Sequence, residues 1–288
     1  MNNLIKEYLQ LYLQQVISGE KKISPDLLLF FKEECGKALE KQFGDKKRDW
    51  SMRMSGLGKP LCQQQLERDN IKTETTMEYN AVNRFLFGDL LEVLLYIEMK
   101  EAGVNVEDYQ KPVTLEIEGV QLKGTLDIII DGKVWDIKTA SPYAYTSKFT
   151  SYSRVKDNDP FGYVVQGYLY AEADNKPFGG WIVINKSSGE IQICPAPNIQ
   201  DDERASALAI ASYNINALQD KSIPLQKLED VPERFRGKST GNRLLNTTCS
   251  FCNFKSHCWS NSKLHHKVAS EAKNPPMVWY SQLNKEQM

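Results

Sequence analysis

The chain has 288 residues, enough to bury a substantial core in one or two domains. Its 25% charged and 41% hydrophobic content is ordinary for a globular chain and excludes a fibrous or low-complexity one, and no apolar run is long enough for a transmembrane helix. With 36 Lys and Arg against 37 Asp and Glu, the net charge of −1 excludes a global basic attraction to nucleic acid, so any such contact must come from local clusters.

Leu4 to Ile17 and Pro25 to Leu39 read as two amphipathic helices, which with the following segment make an N-terminal helical accessory region, residues 1–58. The first residues lack a signal peptide's small-residue cleavage pattern, so a cytoplasmic, reducing location is expected. Lys41 to Lys59 is a basic, Gly-containing connector in which Lys46, Lys47 and Arg48 precede Trp50 and Arg53. A second region, residues 59–260, opens near Pro60 with a turn-rich entry into a polar helical stretch.

Asn80 to Ala102 is predicted as a helix, apolar at Val82, Phe85, Leu86, Leu90, Val93, Leu94, Ile97 and Met99. Glu92 shares a face with Phe85, Gly88, Leu95, Tyr96 and Met99, where a carboxylate is costly unless it has a partner or a task. Gly88 costs about 1 kcal/mol relative to Ala in a helix interior. It is expected to let this helix approach the strands that follow.

Those strands are predicted at Val113–Ile117, Leu122–Ile130 and Val134–Thr139. Asp131-Gly132 favours the type I′ turn of a tight hairpin. With those two residues as the loop, Ile130 pairs with Lys133 and Asp127 falls opposite Asp136; Lys138 then points to the same face as Asp136. Paired carboxylates about 4.5–5.5 Å apart at Cβ repel, and a hard divalent cation between them reverses the penalty. An ammonium beside them can neutralise a phosphate. A solvated face is the competing reading, but Ile128, Ile129, Ile130, Val134 and Ile137 suggest burial on both faces, where charges need partners.

Ser141 to Phe161 reads as long and mostly irregular, with Lys148, Arg154 and Lys156 among Tyr143, Tyr145, Phe149 and Tyr152. That mixture suits either a single nucleic-acid strand or a solvated loop with anchoring aromatics. Next comes a helix on which Gln166 and Tyr170 share a face, then strands at Gly180–Asn185 and Ile191–Cys194 and a helix from about Asp201 to Leu218. Pro224 to Asn246 is a polar approach to Cys249-x-x-Cys252-x-x-x-x-x-Cys258. Three thiolates at this spacing read as a metal site lacking one ligand, to be completed by a distant cysteine. A Cys₄ zinc site also uses such a knuckle. His257, His265 and His266 read as surface residues, and residues 261–288 as a polar C-terminal tail, disordered apart from Val278-Trp279-Tyr280.

Asp127 followed by Asp136-Ile137-Lys138 resembles the core motif of the PD-(D/E)xK nuclease superfamily. Gly124-Thr125-Leu126-Asp127 and Gln166-Gly167-Tyr168-Leu169-Tyr170 are similar to the G-x-x-D and Q-x-x-x-Y signatures of its RecB-like branch. That branch has a helix with a glycine followed four residues later by a metal-binding His; Glu92 stands there in this chain, as Glu does in related phage-type exonucleases, with Asp89 as the alternative ligand. Iron–sulfur members, among them CRISPR-associated exonucleases and the AddB subunit, carry one cysteine in an S-x-x-G-x-x-x-C context and three near the C-terminus. On that resemblance Cys62, Cys249, Cys252 and Cys258 would hold a [4Fe–4S] cluster, with Cys35 the substitute for Cys62 and zinc the rival metal. Cys35 and Cys194 otherwise read as buried small hydrophobes.

The resemblance implies an α/β, restriction-endonuclease-like core with a central mixed β-sheet flanked by helices, plus an iron–sulfur loop. It implies a DNA exonuclease dependent on Mg²⁺ or Mn²⁺, acting on single strands or duplex ends in recombination, repair or replication, alone or with a helicase or recombination protein. Glu92, Asp127, Asp136 and the Ile137 carbonyl would hold the ions, Lys138 would act on the phosphate, and Gln166 and Tyr170 would position the strand. A CRISPR-type accessory that trims DNA before integration and a non-catalytic iron–sulfur DNA-binding subunit are the alternatives. No G-x-x-x-x-G-K-[ST] pattern is present, so the chain is no helicase by itself.

Overall fold

The computed structural model describes residues 2–44, 50–73 and 80–284. The basic triplet Lys46, Lys47 and Arg48 lies outside the described residues. Two N-terminal helices, α1 (Asn2–Ile17) and α2 (Pro25–Phe43), precede a 3₁₀ turn at Met54–Gly56 and α3 (Leu61–Arg68). The long α4 (Asn80–Glu101) then leads into a five-stranded sheet. Among the described residues no helix is long and apolar enough to cross a membrane.

The sheet is mixed, in the order β1 (Val106–Ile117), β2 (Val120–Ile130), β3 (Lys133–Ala140), β4 (Phe178–Asn185), β5 (Ile191–Pro195). Neighbours are antiparallel except β3 and β4, which run parallel. A parallel pair needs a long crossover. Here it contains α5 (Pro142–Ser147), α6 (Tyr152–Asp157) and α7 (Tyr163–Ala173). The stretch expected to be mostly irregular is therefore partly helical, with Ser141 and Ser151 capping the two short helices through their hydroxyls.

Alternation along the strands gives the sheet two apolar faces. Ile128, Ile130, Trp135, Ile137, Ile182 and Ile184 pack with Ile5 and Leu9 of α1 and with Leu95 and Met99 of α4. Ile129, Val134, Ala140, Trp181 and Val183 belong to the other core, with Val165, Tyr168 and Leu169 of α7, and Leu126 joins them from before the break in the β2–β3 ladder. Beyond α7 lies α8 (Asp201–Gln219), which contributes Ala207, Ala211 and Ile215 to the same core. Burying each large aliphatic side chain contributes about 1.5–3 kcal/mol, so the sheet is held rigidly from both sides. Asp136 and Lys138 share the parity of Val134 on β3 and so belong to the α7 face.

Two expectations are corrected here. The first strand is longer than Val113–Ile117, because residues 106–112, rich in charged and polar side chains, continue the ladder to Ile130. Charged side chains are compatible with an edge strand, which is solvated along one side. The segment expected as a polar approach and a disordered tail is a second sheet of order β6 (Val231–Phe235), β7 (Lys238–Leu244), β9 (Met277–Gln282), β8 (Lys263–His266). Its interior is partly polar. Glu233 is 1% exposed and accepts hydrogen bonds from Thr240 Oγ1 (2.9 Å), Asn242 Nδ2 (2.8 Å) and the Tyr280 hydroxyl (2.7 Å). A satisfied buried carboxylate leaves no apolar alternation to read, which is why the strands were hidden. Between β7 and β8 lie α9 (Thr247–Phe251) and α10 (Lys255–Cys258).

Candidate active site

The hairpin of β2 and β3 turns at Asp131 (φ 48°) and Gly132 (φ 70°), the pair of positive angles a type I′ turn requires. Its ladder runs Ile130 to Lys133, Ile129 to Val134 and Ile128 to Trp135 and stops just short of Asp127 and Asp136. The Ile137 amide donates to Asp127 Oδ2 at 2.8 Å. Asp136 is only 3% exposed, and Lys138 Nζ donates to its Oδ1 at 2.7 Å. The ammonium is also 2.7 Å from Oδ2, but that oxygen is buried without a usable hydrogen bond.

Lys138 Nζ also lies 4.7 Å from the centre of the Tyr163 ring, a cation–π contact. Burial alone would lower the Lys138 pKa, but the carboxylates of Asp136 and Asp127 outweigh it and the net shift is upward. Lys138 is therefore a fixed cation. Burial, then the neighbouring Glu92 and Asp136 charges, raises Asp127 well above the usual carboxylate range. Crowded carboxylates of this kind are relieved by protonation or by a metal ion.

Glu92 joins the group from α4. Its carboxyl is pushed up to about 7, chiefly by burial and partly by Asp136, against the opposing pull of the Gln110 hydrogen bond, Lys138 and Lys41. Gln110 of β1 donates through Nε2 to Glu92 Oε1. This residue has φ 49°, a left-handed conformation that few non-glycine residues adopt. Asp89, the alternative to Glu92, accepts from Lys41 Nζ and Gln42 Nε2, both at 2.6 Å, and so ties α2 to α4. Gly88 faces Thr139 of β3, but an added methyl would stand 3.7 Å from Thr139 Oγ1, an ordinary contact. The expected demand for glycine there is absent.

Glu92, Gln110, Asp127 and Tyr170 line a cleft of about 710 Å³ together with Arg53 and Lys123. Tyr170 is 6% exposed; burial first, then the Asp127 and Asp136 charges, raises its phenol pKa. Its ring packs against Gly124, where a Cβ would fall 2.5 Å from Tyr170 Cε1. The two short motifs thus meet in space. Gln166 lies one turn earlier on α7, half-buried, and makes no side-chain hydrogen bond among the described residues. Ile137 stands in register with Ile182 of β4. Tyr163 and Gln110 were missed by sequence reasoning. Tyr163 could have been found, since it precedes Gln166 by three residues and Tyr170 by seven on one helical face.

The basic and aromatic residues of the crossover divide. Phe149 is 4% exposed and belongs to the core, and Tyr152 OH and Lys156 Nζ both bond Glu203 of α8, at 3.0 and 2.6 Å. Those residues anchor the segment, as the solvated-loop reading expected. Lys148 lies over the Tyr163 ring at 4.6 Å, and burial followed by the nearby Lys138 charge lowers its pKa despite Asp159.

Cys62 of α3 and Cys249, Cys252 and Cys258 border one cavity of about 20 Å³, otherwise walled by groups such as Leu66, Phe254 and Trp259. Cys35 lies in α2 and Cys194 in β5, away from that cavity; Cys194 is 1% exposed. Burial raises the thiol pKa at all four positions, to about 11 at Cys252. Metal binding would reverse this by removing the proton. The donor set suits a thiophilic metal. Among the described residues no three His, Cys, Asp or Glu side chains stand close enough to hold an ion without adjustment.

No family model and no curated protein matches the sequence. Among solved structures, the chain is similar to the crystal structure of SSO0001, with 17% identity over 80% of this chain and 96% of that one and a TM-score of 0.42. It is also similar to a crystal structure described as "putative exonuclease" from Eubacterium rectale, with 16% identity over 71% of each chain and a TM-score of 0.33. Likenesses this slight carry no argument about chemistry.

Proposed function

We propose that the chain is a metal-dependent nuclease that hydrolyses DNA phosphodiester bonds. One observation carries the reading: Asp127, held by the Ile137 amide, and the buried Asp136, paired with Lys138, gather two carboxylates and an ammonium at one end of the hairpin. The resemblance of the same residues to the PD-(D/E)xK motif supports it. Glu92, Asp127, Asp136 and the Ile137 carbonyl would hold Mg²⁺ or Mn²⁺, hard ions that take oxygen donors. A bound ion supplies Lewis-acid polarisation of the phosphate and acidifies water.

The chain's own groups do the rest. Lys138, kept protonated by its carboxylate neighbours, is a stabiliser of charge developing on phosphate oxygens rather than a proton acceptor. Asp136 and the Tyr163 ring fix where that charge stands. Tyr170, with Ser55 beside its hydroxyl, offers a phenol to the substrate strand at the cleft wall. The thiol group, by joining Cys62 to the C-terminal loop, has a structural role. Cys62, Cys249, Cys252 and Cys258 would hold a [4Fe–4S] cluster, and zinc, which four thiolates also bind, is the second reading. A reducing, cytoplasmic setting suits free thiols.

The test is a cleavage assay with Mg²⁺ or Mn²⁺ and oligonucleotides having defined single- and double-stranded ends. Asp136→Ala and Lys138→Ala should each abolish cleavage while DNA binding persists. Robust cleavage by either purified variant refutes the assignment.

A further inference from the structure

We infer that Arg53 and Lys123 form a phosphate clamp on the rim of the cleft, holding a backbone phosphate of the substrate strand beside the reacting one. The inference rests on the nuclease reading above and names the residues that would dock the strand.

An isolated parallel bridge joins the backbone of Arg53 to that of Lys123, so two cations from distant parts of the chain are pinned side by side. Both side chains are exposed and both line the cleft that holds Asp127 and Glu92. Like charges at paired positions repel. Among the described residues neither has a carboxylate at ion-pair distance, and the one side-chain hydrogen bond of Arg53 runs from Nε to Ser51 Oγ at 3.4 Å. Lys41, the third cation of this cleft, is by contrast tied to Asp89 at 2.6 Å. Two juxtaposed, unneutralised cations are relieved by an anion that spans them.

The cleft therefore carries both signs, with Lys123 four positions before Asp127 on the same strand. The carboxylates attract cations, and the Arg53–Lys123 rim attracts anions. A phosphodiester chain satisfies both, because one phosphate can meet ions at the carboxylates while its neighbour meets the rim. Arg supplies a planar fork of donors and Lys a mobile point charge, which together fit a tetrahedral phosphate without reading its base. A space of about 710 Å³ has room for more than one nucleotide unit.

The experiment measures anisotropy of a fluorescein-labelled thymidine oligomer with the full chain, in EDTA so that nothing is cut, over a series of salt concentrations. Wild type is compared with Arg53→Gln, Lys123→Gln, the double variant and the charge-preserving Arg53→Lys/Lys123→Arg exchange. Each lost contact should reduce the slope of log affinity against log salt by about 0.7, and the double variant by about 1.4. The exchange should keep most of the wild-type slope. A double variant with wild-type slope overturns the clamp, as does an exchange that behaves like the neutral variants, or a wild type that does not bind the oligomer. Binding that depends on the pair, in a protein that cuts nothing with Mg²⁺ or Mn²⁺, upholds the clamp and removes the nuclease reading. Cleavage together with an unchanged slope does the reverse.

Discussion

Adding one methyl group at Gly124 tests whether the G-x-x-D and Q-x-x-x-Y segments act as one packed unit. A Cβ there would lie 2.5 Å from Tyr170 Cε1, 3.3 Å from Tyr170 Cζ and 3.0 Å from Met54 Cε. Carbon contacts favour about 3.5–4.0 Å, so the ring must retreat by roughly 1 Å. Met54 ends in a flexible thioether and can give way. Tyr170 cannot do so freely, because it is buried on α7. Overpacking of this kind costs about 1–3 kcal/mol. Restricting the unfolded chain returns about 0.4–1 kcal/mol, so Gly124→Ala should destabilise by about 0.5–2 kcal/mol. Urea midpoints measured in wild-type and Tyr170→Leu backgrounds separate the clash from other effects. With the ring gone, the added methyl should be neutral or slightly stabilising. An equal cost in both backgrounds would refute the contact, and with it the argument that this glycine exists to seat the tyrosine.

Gln110→Gly relieves a left-handed residue that costs about 1–2 kcal/mol and removes the amide that holds Glu92. Thermal unfolding should show stability equal to or above wild type, while Mg²⁺ titration of cleavage shows weaker metal use; lower stability with unchanged metal use contradicts this. Burial works to raise the Glu233 pKa, but hydrogen bonds from Asn242, Tyr280, Thr240 and the Ala269 amide outweigh it, so the folded value lies below the ordinary one. Its contribution is complete above the unfolded value of about 4.3 and is lost as pH falls through the folded value. Glu233→Gln should therefore lower Tm at pH 7 and flatten the acid limb below about pH 4. An unchanged acid limb argues against the buried network. Cys62→Ala, Cys249→Ala, Cys252→Ala and Cys258→Ala should each lose bound metal in elemental analysis, whereas Cys35→Ala and Cys194→Ala should retain it. Iron in the purified wild type would select the cluster, and one zinc per chain the lone ion.

What could be read from the residues was local. Asp131-Gly132 specifies its own turn, and the turn sets the register of Ile130 with Lys133 and Ile128 with Trp135, because each step depends only on adjacent backbone geometry. Helical spacing likewise gathered Gln166 with Tyr170, and the close spacing of Cys249, Cys252 and Cys258 marked a thiol loop. Residues that act across the chain left no such trace. The Asp89 bonds to Lys41 and Gln42, the left-handed Gln110 that meets Glu92, and the bridge of Arg53 to Lys123 each join segments whose separation carries no period. The second sheet was hidden for a related reason. Its strands come from residues 231–282 and enclose the polar Glu233 network, so hydrophobic alternation, the signal that betrays a strand, is replaced by hydrogen bonds between side chains that meet only in the folded chain. Backbone stereochemistry is encoded residue by residue, whereas charge pairing and polar burial depend on which distant segments the packed core brings together.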